Sequence, residues 1–187
     1  MFKTLAAIAA SAAVIASSLV GYGTTPTAEA ATTAVNFVSW PKDVIYVYDA
    51  TAAIKKADGA PVWAVRAAAA RWAVGNPVDF RYTTKPCLTG VQCVVVRQAE
   101  LAAPAIGSAS IGSAGTDITS VTVVLDTTFG RTNGSARRRN VVCHELGHSL
   151  GLKHRTGTTS CLTSYATSQQ YPDATDIKNL NTMYGYR

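Results

Sequence analysis

The sequence predicts an α+β domain. Three observations lead there: a run dense in strong helix formers at 61–74, a central group of short β-branched and aromatic segments, and two helical segments near the C-terminus. At 187 residues the chain is about one domain long, and no internal repeat or long linker divides it.

The first thirty residues read differently from the rest. Lys3 lies in a short positive head, an Ala-rich apolar run follows from Leu5 to Val20, and a polar stretch ends in Ala28-Glu29-Ala30, a small-x-small cleavage signal. Residues 1–30 are therefore read as a secretory signal peptide and 31–187 as the folded unit. The apolar run, roughly 16 residues, falls short of the roughly 20 that a membrane-spanning helix needs.

Val44 to Tyr48 reads as the first strand. Pro61 suits the first position of a helix, and Gly75-Asn76-Pro77 would end that helix near 74. Asp79 to Thr83, Val91 to Arg97 and Val121 to Asp126 read as strands. Ile106 to Ile111 is a weaker strand of small side chains, suited to close backbone approach by another segment. After a polar turn at Thr132-Asn133-Gly134, Ser135 is the expected N-cap of a helix over 136–151 that Gly151 ends. Pro172 and Asp173 open a last helix that runs to Tyr184 and stops at Gly185.

The formal net charge is +6, and removing the leader takes away one Lys and one Glu, so it persists. Such a charge suits solubility as well as anionic partners. The basic residues are scattered except for Arg137-Arg138-Arg139, which open a helix where positive charge opposes the dipole. These three are read as a solvated run, with contact to an acidic substrate or an anionic envelope polymer as the alternative. All four cysteines follow the leader, an even number in an oxidising compartment, and two disulfides are expected. Three connectivities are possible. The simplest staples Cys87 to Cys93 across a short loop and leaves Cys143 with Cys161.

The stretch from His144 to His154 carries the chemistry, because it fits HExxHxxGxxH at every defined position. On a helix His144 and His148 share one face and can present two imidazoles to one metal. Glu145 lies about 100° round, suited to reach a water as general base rather than to ligate. Gly151 releases the chain and lets His154 return as third ligand. Three neutral nitrogens leave one position open, the arrangement of a catalytic zinc. Val142, Leu146 and Leu150 recur on the opposite face and are expected in the core.

These eleven residues are similar to the zinc motif of the metzincins, and the size and element order resemble a compact, secreted, matrixin-like member over residues 35–187. The resemblance implies a metzincin-like zincin domain: a twisted mixed sheet with one antiparallel edge strand above the cleft, an active-site helix, a turn beneath the metal and a C-terminal helix. Ile106 to Ile111 would be the edge strand, with Gly107, Ser108, Ala109 and Ser110 pairing with an extended peptide. The family's turn carries a methionine that this sequence lacks; Ser160-Cys161-Leu162-Thr163 occupies the place, with Leu162 as the stand-in, similar in volume and polarity. A Cys143–Cys161 bond would tie that turn to the zinc helix. Tyr165 lies three residues past Leu162 instead of two, so it reads as surface or pocket wall rather than an oxyanion donor. Met183 reads as core.

The implied activity is a secreted, extracellular zinc endopeptidase with one catalytic zinc, acting on extended protein or peptide. An envelope-binding protein that keeps a zinc scaffold without turnover is the alternative from another class, and a hydrolase of peptidoglycan cross-links is a third. No nucleic-acid partner is expected, nor membrane contact after leader removal, and a monomer is assumed. Ala31 to Trp40 is too short for a separate prodomain. No residue pattern fixes a calcium site or a cleavage preference.

Overall fold

The computed structural model describes residues 15–20, 38–156 and 159–185. Its centre is one mixed sheet of β1 (Ile15–Val20), β2 (Val44–Asp49), β3 (Asp79–Thr83), β4 (Cys93–Ala99), β5 (Ala105–Ala114) and β6 (Asp117–Asp126), in the order β1-β5-β6-β4-β2-β3. The β2–β3, β2–β4 and β4–β6 pairs are parallel, whereas β5 runs antiparallel to β6. Alternation sets the inner face: Ile45 and Val47 of β2, Val94 and Val96 of β4, and Val121 and Val123 of β6 are all buried.

The helices are α1 (Val65–Trp72), α2 (Thr127–Thr132), α3 (Ser135–Ser149) and α4 (Ala174–Tyr184). α1 packs on α3; α1 also meets β2 and β3, and α3 meets β5 and β6. The expected α+β mixed sheet, with an antiparallel strand at one side and α3 packed against β5 and β6, is thus present. Among the described residues no helix is long and apolar enough to cross a membrane.

Several boundaries differ from the sequence reading. The first helix starts at Val65 rather than at 61, because the Val62 N–H donates to the Ile54 carbonyl and Pro61 bridges Lys55, which keeps 61–62 extended. β4 starts at Cys93 rather than at 91, while β5 and β6 extend further than expected. Gly134, not Ser135, is the N-cap of α3. α2 was not anticipated; the Asp126 side chain accepts the Phe129 N–H at 2.6 Å and starts it.

The largest difference lies at the sheet's rim. Within 38–185, β5 is the outermost strand and runs antiparallel, but Ile15–Val20 pairs antiparallel along its outer side, matching Ile15 with Ile111 and Ser18 with Ser108. Those residues fall inside the expected leader. The rest of that leader lies outside the described residues.

Candidate metal centre

α3 is held at both its middle and its end by buried aromatic donors. Trp72 of α1 donates its Nε1–H to the Cys143 carbonyl at 2.8 Å. Trp40 donates its Nε1–H to the Ser149 carbonyl at 2.8 Å, and the Tyr184 hydroxyl donates to the Leu150 carbonyl at 3.0 Å. Carbonyls that a helix end leaves unpaired are thereby satisfied without water. Val142, Leu146 and Leu150 are fully buried in the core beneath.

Gly151 follows with φ +89°, a left-handed turn that favours glycine, and its backbone lies against the Val38 carbonyl, where a side chain would clash. The chain reverses there and brings His154 back. As a result one ring nitrogen from each of His144, His148 and His154 lies within 4.8 Å of the others. Nε2 of His144 stands 2.8 Å from Nε2 of His148 and 3.0 Å from Nε2 of His154.

The remaining ring nitrogens explain that convergence. Nδ1 of His144 donates to the Cys161 carbonyl at 2.9 Å, and Nδ1 of His148 donates to the Leu152 carbonyl at 2.7 Å. A carbonyl can only accept, so each Nδ1 keeps its proton and each Nε2 turns a lone pair inward. Burial, reinforced by the neighbouring imidazoles, holds His144 well below the usual histidine range and His148 down at about 4; burial also lowers His154. Three neutral imidazoles aimed at one point fit a zinc ion, for which this donor set is apt. Among the described residues no other group of histidine, cysteine and carboxylate side chains gathers in this way.

Glu145 follows His144 on α3 and is fully buried, with neither carboxylate oxygen hydrogen-bonded. Burial alone raises its pKa well above the ordinary carboxylate value. Its neighbour is β5: a Cβ on Gly107 would lie 2.7 Å from Oε1 of Glu145 and 2.9 Å from Cγ1 of Val141. The strand's small residue is therefore a steric requirement of the carboxylate, in addition to any backbone pairing by Gly107, Ser108, Ala109 and Ser110. Gly107→Ala should displace the Glu145 carboxylate and lower kcat by about 100-fold at unchanged zinc content, the scale expected for a misplacement of about 1 Å. Steady-state kinetics with metal analysis checks this; an unaltered kcat would show that the carboxylate tolerates the shift.

Beneath the triad, Leu162 is fully buried, and a Cβ on Gly147 would meet its Cδ2 at 2.7 Å and Trp72 Cζ2 at 2.6 Å. Leu162 thus packs directly under the zinc helix. Disulfides join Cys143 to Cys161 and Cys87 to Cys93.

Three polar residues that sequence reasoning missed support the turn. Asp176 of α4 is fully buried, accepts the Ser160 hydroxyl at 2.5 Å and pairs with Arg155, the neighbour of His154, at 2.9 Å. Arg155 also pairs with Asp173, the N-cap of α4. Asn140, one turn before His144 on the same helix face, donates to the Gln169 carbonyl and accepts the Thr167 N–H at 3.0 Å. An amide four residues before His144, on the same helix face, was the one sequence signal available for it.

The three consecutive arginines are not a solvated run. Arg138 is buried and donates to the Gly130 and Asn133 carbonyls at the end of α2, and Arg137 lies over the Phe129 ring. Only Arg139 is exposed, donating to the Gln170 side chain. Tyr165 is exposed, and Met183 is partly buried against the core.

A family model described as matrixin matches residues 55–185, more than half of the chain and all of the site. No curated protein matches.

Proposed function

The chain belongs to the matrixin family and is a zinc metalloendopeptidase, and from that premise we propose that it is secreted, that His144, His148 and His154 hold the zinc, and that Glu145 is the general base. The observation that carries the reading is the fully buried, unpartnered carboxylate of Glu145, next to His144 on the helix that presents two of three imidazoles with converging Nε2 atoms. An orphaned buried carboxylate costs folding free energy, about 1–3 kcal/mol or more, and a catalytic duty accounts for its retention.

His144, His148 and His154 would hold the zinc, which would supply Lewis-acid polarisation of the scissile carbonyl and a more acidic water. The protein's own residues do the rest. His144 and His148 keep their tautomers through the Cys161 and Leu152 carbonyls, which fixes the direction of each Nε2 lone pair. With the cation bound, whose charge favours the ionised form, the Glu145 carboxylate takes a proton from the attacking water and returns it to the leaving amine nitrogen. The backbone of β5 aligns an extended peptide through main-chain hydrogen bonds.

Main-chain recognition favours protein or peptide over a small ester. Hydrolysis of peptidoglycan cross-links is the rival substrate, to which a net charge of +6 is suited. Residues 31–187, loaded with zinc, should release fragments from casein and not from purified cell wall. Release from wall alone would move the assignment to the cross-link.

A further inference from the structure

Cys143 immediately precedes His144 on α3, and its sulfur is bonded to Cys161. The carbonyl of that same Cys161 accepts the His144 Nδ1–H at 2.9 Å. A small ring closes: from the imidazole through the hydrogen bond to Cys161, across the disulfide to Cys143, and back over one peptide bond to His144. Both cysteines are fully buried, and Trp72 holds the Cys143 carbonyl from the other side.

The other helix ligand has a different support. His148 leans on the Leu152 carbonyl, four residues along its own chain, where the Gly151 turn already fixes the acceptor. His144 leans on a segment 17 residues away. Of the described residues between Gly151 and Asp173 none is in a helix or a named strand; isolated backbone bonds, from the Cys161 N–H to the Tyr171 carbonyl at 2.9 Å and from the Arg155 N–H to the Leu162 carbonyl at 2.8 Å, hold this turn together with the disulfide. The packing residue of the turn is Leu162, a branched aliphatic side chain without directional bonds.

We infer that the Cys143–Cys161 disulfide is a positioning device for the first zinc ligand: it holds the Cys161 carbonyl against His144 Nδ1 and so fixes the tautomer and direction of that ring. This rests on the assignment of His144 to zinc. Loss of such an outer partner lowers metal affinity by about 10–100-fold. The Cys87–Cys93 bond joins the loop before β4 to the first residue of that strand and includes no neighbour of a histidine in the triad, so it is the internal control for stabilisation without positioning.

The test compares zinc affinity, by competition with a chromophoric chelator, and the visible spectrum of the cobalt(II)-substituted protein. The chains are the unaltered protein, Cys143→Ala/Cys161→Ala, the space-filling Cys143→Ala/Cys161→Val, and Cys87→Ala/Cys93→Ala, each held well below its own unfolding midpoint. Whichever of the first two variants folds should bind zinc about 10–100-fold more weakly with an altered cobalt spectrum, while the control pair stays within about twofold. Equal weakening in all variants would reduce the bond to general stabilisation and overturn the inference, as would tight binding and an unchanged spectrum without it. If neither variant folds, the bond acts through folding as a whole and the inference is overturned. An unaltered chain that binds no zinc would remove the metal-centre reading itself, a distinguishable failure.

Discussion

Replacing Glu145 with Gln should leave one zinc per chain and lower peptide-bond hydrolysis by about 10²–10⁴, the usual contribution of a positioned general base. Gln has nearly the shape of Glu, so the tight approach of Gly107 to this side chain is preserved and the geometry of the triad is undisturbed. What disappears is the capacity to take a proton. The same substitution changes the folding of the metal-free chain. Because burial raises the Glu145 pKa, the folded state keeps a proton that the unfolded chain releases above about 4.5, and stability from this group erodes as pH rises through the folded value. The Gln variant should lack that slope in urea titrations above pH 4.5. Full activity in a zinc-loaded Gln variant would remove Glu145 from the mechanism.

Stripping the metal should abolish cleavage and lower the unfolding midpoint. A ligand bound only by the folded state adds about 4 kcal/mol at a thousandfold excess over its Kd, which for a domain of this size corresponds to about 8–16 °C. The metal-free chain should also be acid-sensitive. His148 titrates at about 4 in the folded state against 6.5 for the free side chain, so between those values the unfolded chain binds more protons. Stability is therefore lost as pH falls from about 6.5 toward 4. His144 is shifted the same way, and zinc competes with the same protons. Glu145 acts in the opposite sense over part of this range, so the pH series is cleanest in the Gln variant. A chelated chain with an unmoved midpoint would mean that the triad holds no metal.

The zinc segment was legible because local spacing determines it. His144 and His148 meet by helical periodicity, Val142, Leu146 and Leu150 turn to the core by the same rule, and Gly151 marks the reversal. Strand existence was equally local, since Val, Ile and Tyr clusters mark β2, β4 and β6. What was not legible depends on partners remote in sequence. Nothing near Arg138 announces that it will satisfy carbonyls at the end of α2, and nothing near Asp176 announces Arg155 and Ser160. The start of α1 was misplaced because a hydrogen bond from Val62 to Ile54 outweighed the local preference of Pro61. α2 was missed since Thr and Gly are weak helix formers; its N-cap Asp126 was the only local signal, and it falls at the end of a strand.

The pairing of Ile15–Val20 with β5 sets up a competition. On the proposed reading, the rim that would align an extended peptide is the rim this segment takes, so a chain that keeps its leader would exclude the peptide there. Two segments of one chain can meet at effective concentrations on the order of millimolar. A peptide supplied at micromolar concentration thus starts at a disadvantage of about a thousandfold against a rival carried on the same molecule. Cutting the chain anywhere between Val20 and Val38 turns that rival into an ordinary solute, diluted to the concentration of the protein itself.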